Sequence, residues 1–200
     1  MFSNIYTTTK TNEVAQSTNT ESVKIVGSDL IFCQKLGIQI AATVTTPSAG
    51  AFTAENVANL FTKATHGFKT GLKVRVSNSG GALPTGLSAA TDYFVIYVSA
   101  STFKLASSLV NANAGTAIDI SDDGTGTQTI TPTALAGCNV KIQGSLDNSV
   151  WCDIGSATNI TATANIFLEK VDPCFDYVRT VYTLTAGQIS VAETYSVKGR

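Results

Sequence analysis

Two hundred residues suffice for one large domain or two small ones with a buried core. The chain carries 13 Lys and Arg against 14 Asp and Glu, a net charge of −1, and no clustered basic run. That excludes binding through the phosphate backbone of a nucleic acid or through an anionic membrane surface. Only 14% of residues are charged while 44% are hydrophobic, so Thr, Ser, Asn and Gly, residues of strands and turns, must supply the polar surface. This is a globular β composition, and so weakly charged a surface suits a subunit that buries much of itself in an assembly.

In chain order, residues 1–22 are polar and show no periodicity, which predicts an extended N-terminal arm that does not order on its own. VKIVG from Val23 and LIFC from Leu30 to Cys33 are short strand candidates. Gly37 to Thr45 alternates, with Ile38, Ile40, Ala42 and Val44 on one face, and predicts a half-buried strand ending at the Pro47–Gly50 turn. The stretch Thr53 to Ala64 is open to two readings. Val57, Leu60, Phe61 and Ala64 fall at helical spacing behind a Thr53 cap, whereas Leu60, Thr62 and Ala64 share a strand face if Asn56–Asn59 turns the chain.

Leu72, Val74 and Val76 then alternate with Lys73 and Arg75, and Tyr93 to Val98 reads as a strand buried on both sides. A Ser99–Ser101 turn leads into a hairpin partner at Thr102–Leu105, and Ile118 and Ile120 predict a further strand before the DDGTG turn, Asp122 to Gly126. Val140 and Ile142 resume the period of two, a turn spans Gly144–Asn148, and Tyr177–Leu184 is dense in β-branched and aromatic residues. Ile189, Val191, Tyr195 and Val197 share a face interrupted only by Glu193. Many short strands separated by turns predict a sandwich or jelly roll. The likeness of the two ends predicts an all-β, jelly-roll-like sandwich of residues 23–48 and 133–200, split by an inserted β domain at 49–132, behind the arm at 1–22.

Catalytic signatures are few. His66 is the sole histidine and sits in a tight-turn sequence, THGFKTG, and no serine lies in a GxSxG elbow. DISDDG, Asp119 to Gly124, spaces oxygens like the start of a calcium loop, but the twelfth position is Ile130 where a Glu belongs, so a hairpin turn is the simpler reading. The acids Asp147, Asp153, Glu169, Asp172 and Asp176 show no paired spacing across a groove. Cys33, Cys138, Cys152 and Cys174 form no CxxC pair and read as buried thiols. No catalytic, metal or cofactor residue is therefore expected. Trp151, behind the Asp147-Asn148 turn, is a candidate glycan or partner contact together with those two residues. The start MFSNIYTTTK lacks an apolar signal core, and no apolar run approaches the ~20 residues of a membrane helix, so folding in a cytoplasm with no membrane partner is expected.

Two stretches carry a resemblance. HGFKTG (His66 to Gly71), LPTGL (Leu83 to Leu87), TDYFVI (Thr91 to Ile96), TFKLA (Thr102 to Ala106) and AGTAIDI (Ala114 to Ile120) resemble a small β module recurrent in tailed-phage virion proteins. That resemblance implies a strand, not a helix, before the HG turn. VKIQGSLDNSVWCDIGS (Val140 to Ser156) with DPCFDYVRTVYTL (Asp172 to Leu184) resembles discoidin-type jelly rolls of phage structural proteins, a pattern shared with carbohydrate-binding sandwiches. Together they imply a non-enzymatic virion subunit, a homo-oligomer that contacts major capsid or neck and connector proteins on the head or an adjoining site. A host-glycan-binding module of a tail fibre or tip is the alternative.

Overall fold

The computed structural model describes residues 3–14, 23–24, 33–171 and 175–199, with side chains for 35–169, 175–184 and 186–196. In chain order the elements are β1 (Ser3–Val14), β2 (Val23–Lys24), β3 (Cys33–Val44), β4 (Gly50–Glu55), β5 (Leu60–Thr62), β6 (Lys73–Ser79), β7 (Asp92–Tyr97) and β8 (Thr102–Ala106). A short helix, α1 (Leu109–Ala114), precedes β9 (Thr127–Pro132), β10 (Gly137–Ser145), β11 (Cys152–Asp153), β12 (Thr158–Ile160), β13 (Ala164–Val171), β14 (Tyr177–Ala186) and β15 (Gln188–Gly199). Among the described residues the chain is thus all-β apart from that one helix, and it forms two compact units. One comprises residues 1–45, 135–185 and 189–200, the other 46–134 with 186–188.

The first unit is a sandwich. One sheet runs β1-β15-β3-β13; the other runs β11-β10-β14-β2, with β12 also on β10. Period-two alternation sends Leu36, Ile38, Ile40 and Ala42 of β3 inward, against Val140 and Ile142 of β10, Val178, Tyr182 and Leu184 of β14, and Ile189 and Val191 of β15. Burial of these side chains, at about 25 cal/mol per Å² of apolar surface, is what binds the two sheets. Residues 3–14, which carry no hydrophobic period, nevertheless form β1, hydrogen-bonded to β15. The arm expected to lack order of its own is to that extent corrected, because an edge strand needs backbone pairing rather than an apolar face. The VKIVG and LIFC candidates fall mostly outside the described residues, and only Val23–Lys24 and Cys33 are seen in strands. The turn foreseen at Gly144 begins later, since Gly144 still pairs with Cys152.

The second unit is a closed barrel, β4-β5-β8-β7-β6-β9. Its interior is aromatic: Phe61 and Phe103 stack at 5.6 Å, and Phe52 and Phe68 meet them edge-on. The strand expected before the HG turn is present; three expectations are corrected in this unit, the first of them only in which residue faces inward. Thr53–Ala64 is a hairpin, with Asn59 N–H donating to Asn56 O at 3.2 Å, and the residue it buries is Phe61 rather than Leu60 or Thr62. Tyr93–Val98 is not buried on both sides, because a barrel strand has an outer face; Tyr93 and Val95 point in, while Tyr97 and Val98 are exposed. Ile118–Ile120 forms no strand, although Ile120 is buried. In front of it lies α1, capped by the Ser108 hydroxyl and terminated by Gly115 in the left-handed region at φ 74°. The DDGTG turn is as expected, and Gly126, at φ 75°, is required there: a Cβ would lie 2.6 Å from Ser79 O.

Candidate partner-binding face

Alternation in β10 points Lys141 and Gln143 away from the sandwich core, and the β10–β11 register sets Asp153 directly opposite Gln143. Arg179 of β14 joins them. Its Nε donates to Gln143 Oε1 at 2.8 Å, Gln143 Nε2 donates to Asp153 Oδ1 at 2.8 Å, and Lys141 Nζ donates to Asp153 Oδ2 at 2.6 Å. The Arg179 guanidinium also lies 4.1 Å from the centroid of the Trp151 ring. Trp151 is therefore half-buried on the outer face rather than in the core. The Lys141 hydrogen bond, followed by that from Gln143, holds the Asp153 carboxyl below the usual carboxylate range.

The neighbouring turn is built on Asp147. Its Oδ1 accepts from the backbone N–H groups of Ser149 and Val150, each at 2.8 Å, and from the Ser145 hydroxyl at 3.0 Å. Those donors, Val150 first, push its pKa down. Asn148 takes the left-handed conformation that closes the turn, at φ 59°. The turn in consequence presents Leu146 and Val150, 66% and 68% exposed, beside Trp151. Of the three residues singled out from sequence, Trp151 is on the surface, whereas Asp147 and Asn148 shape the loop. Asp153 was named only among the acids, and Arg179, Gln143 and Lys141 were not singled out, although the outward phase of β10 marks the last two.

The other acids are likewise engaged. Glu169 accepts from Lys35 at 2.8 Å on the opposite sheet, Asp176 is half-buried, and Asp172 lies outside the described residues. In the calcium-like loop, Asp123 Oδ1 accepts from Asn56 N–H at 2.7 Å, Asp119 Oδ1 from the Asn59 amide at 3.1 Å, and Asp122 from Thr85 and Gly124. These carboxylates pin hairpins together, the simpler of the two readings. Cys138 is buried, but Cys152 is exposed, against expectation; the side chains of Cys33 and Cys174 are outside the described set. On the barrel, a cleft of about 640 Å³ between Lys73, Arg75, Ala90, Asp92, Thr131 and Thr133 was not foreseen. Asp92 bridges its two cations there, at 3.0 Å from Lys73 Nζ and 2.5 Å from Arg75 Nε.

No family model matches the chain, and no curated protein matches it. Among solved structures it is similar to a chain of the VP16-VP17 complex, a complex of the two major capsid proteins of bacteriophage P23-77. That likeness has 8% identity and a TM-score of 0.29 over 99% of this chain and 100% of the other, a score too low to carry fold or function across.

Proposed function

We propose that the chain is a non-enzymatic structural subunit of a tailed-phage virion, attached to the head or neck and stabilising the particle through subunit contacts. The observation that carries this reading is where the motifs resembling the phage module sit in the fold. His66, Phe68, Tyr93, Phe103 and Ile120 are all buried core residues of the barrel. Those motifs therefore act as scaffold, which fits a virion building block better than an enzyme. On this reading residues 1–22 form a clamp, with β1 leaving its own β15 for the β15 of a neighbouring subunit. Deleting residues 1–22 should leave the barrel folded but abolish incorporation into particles. Particle composition after expression in infected cells checks this, and unchanged incorporation rejects the clamp. Cryo-electron microscopy of intact virions tests the location.

The second reading, host-glycan recognition at a tail fibre or tip, is favoured by one feature: an aromatic ring immobilised beside a row of planar polar side chains, Arg179, Gln143 and Asp153. Trp151→Ala should then erase binding on a glycan array while leaving particle assembly intact. Binding that survives the substitution would exclude this face as the glycan site.

A further inference from the structure

We propose that β13 is a self-pairing edge, through which two copies of this chain join their sheets antiparallel about a twofold axis at Phe167. β13 ends its sheet: among the described residues its backbone partner is β3 alone, through an unbroken register from Ala164↔Ala42 to Val171↔Lys35. A strand of eight residues with no proline and no bulge leaves, among the described residues, a row of N–H and C=O groups open to another strand. The usual guards of an edge are missing over its middle. Ile166, Phe167 and Leu168 are consecutive; Phe167 is 63% exposed, and Ile166 and Leu168 are only partly buried against the sandwich core.

The occupant follows from the strand's own sequence. In an antiparallel pair, facing residues lie on the same side of the sheet, so a twofold register must pair odd positions with odd. Centred on Phe167, the register sets Phe167 against Phe167 of the second copy, Ile166 against Leu168, and Asn165 against Glu169. Apolar residues then meet apolar on both faces, and an amide meets a carboxylate already tied to Lys35. Shifted two residues one way, Phe167 would face the Glu169 carboxylate; shifted the other way, it would face Asn165. The central register alone gives complementarity at every one of these positions. It also carries the Ile166 and Leu168 side of the core from one copy into the next.

The Phe167 ring is held ready for this. It lies over Gly37 of β3, where an added Cβ would come within 3.0 Å of it, so the glycine gives the ring its seat and keeps it flat on the outer face. An edge-to-edge joint of this length covers less area than the standard stable interface, so the pair is of about micromolar strength or weaker in solution and firm where copies are concentrated. The joint rests on β13 and not on the virion reading.

The test uses the full chain. Sedimentation equilibrium at high micromolar concentration should show a twofold mass that Phe167→Lys reduces to that of the monomer, with circular dichroism showing the fold retained. Independently of that variant, Phe167→Cys in a Cys152→Ser background should give a 167–167 disulfide under mild oxidation, identified by peptide mapping. Facing Cα atoms in such a pair are about 5 Å apart, within disulfide reach. Asn165→Cys should give no 165–165 link, since the two residues would stand about 13 Å apart along the strands. A monomer at every concentration with no 167–167 link overturns the proposal, and a 165–165 link overturns the register. Association lost on deleting residues 1–22 but kept by Phe167→Lys would place β1, not β13, at the joint.

Discussion

Glu193→Ala should destabilise the sandwich by about 3–5 kcal/mol, read as a fall in the urea midpoint at constant slope. Glu193 lies on β15 and is 0% exposed. One carboxylate oxygen accepts from the hydroxyls of Thr180 and Tyr182, and the other accepts from Tyr195 at 3.0 Å. Thr180 and Tyr182 belong to β14 in one sheet, while Glu193 and Tyr195 belong to β15 in the other, so the carboxylate ties the layers together. Removing it takes the shared acceptor from three buried hydroxyls, of which Thr180 and Tyr195, 3.2 Å apart, can still bond each other, and opens a cavity. Glu193→Gln keeps one acceptor and should cost less. Glu193→Leu combined with Tyr182→Phe and Tyr195→Phe should cost less than the sum of the three single changes, because the unsatisfied groups go with their partner. Burial first, and then the charge of Glu193, pushes both tyrosines above their usual range. A raised folded pKa means that the unfolded chain ionises first. The stabilisation is therefore whole below about pH 10, the ordinary tyrosine value, and is lost as pH rises beyond it. A Glu193→Ala protein within about 1 kcal/mol of the parent would show that the tie is not holding the sheets.

What the sequence disclosed depended on whether a residue's burial repeats locally. β3, β6 and β10 were legible because each is half-buried, with Ile38 and Ile40, Val74 and Val76, and Val140 and Ile142 keeping one phase. Tyr93–Val98 misled because the outer wall of a barrel tolerates apolar residues, so a continuous run conceals its own period. Six residues of α1 are too few to show a helical period, although Ser108 and Gly115 bracket it with the capping chemistry expected. β1 was invisible because its sequence, TTTKTNEV among it, is polar in either phase. Glu193 was visible only as an interruption. What makes it a core residue is three hydroxyls, two of them on another strand, and no local pattern brings those together. The same holds for the site: Trp151 could be named, but Arg179 reaches it across 28 positions of chain that only the sheet order closes.

The barrel should lose stability in mild acid, and His66 should be the reason. The ring is 2% exposed and lies 4.7 Å from Phe68 and 5.3 Å from Phe103. Nδ1 accepts from the Phe68 N–H at 2.9 Å, which leaves the proton on Nε2 to be donated to Ser99 O at 2.9 Å. The neutral ring is thus satisfied at both nitrogens. A second proton would have to go on Nδ1, facing a donor, and would charge a buried site. Desolvation accordingly lowers the His66 pKa, and Lys63 and Lys69 push the same way, while the Thr102 and Ser99 carbonyls oppose them. The unfolded chain takes up the proton near pH 6.5, the folded one only at lower pH, so stability is whole above about 6.5 and falls as pH drops below it. Asp92 and Asp122 in the same unit have lowered pKa values, so their contribution is lost only below the ordinary carboxylate range. The interval from about pH 6.5 down to about 4 therefore isolates the histidine. In that interval the thermal midpoint of the parent should fall. His66→Gln, which cannot take a charge, should flatten the profile at a lower plateau. His66→Ala, which empties the space between the phenyl rings and strands the Phe68 N–H, should cost about 2–4 kcal/mol at pH 7. A His66→Gln profile parallel to that of the parent through this interval would move the acid sensitivity to another group.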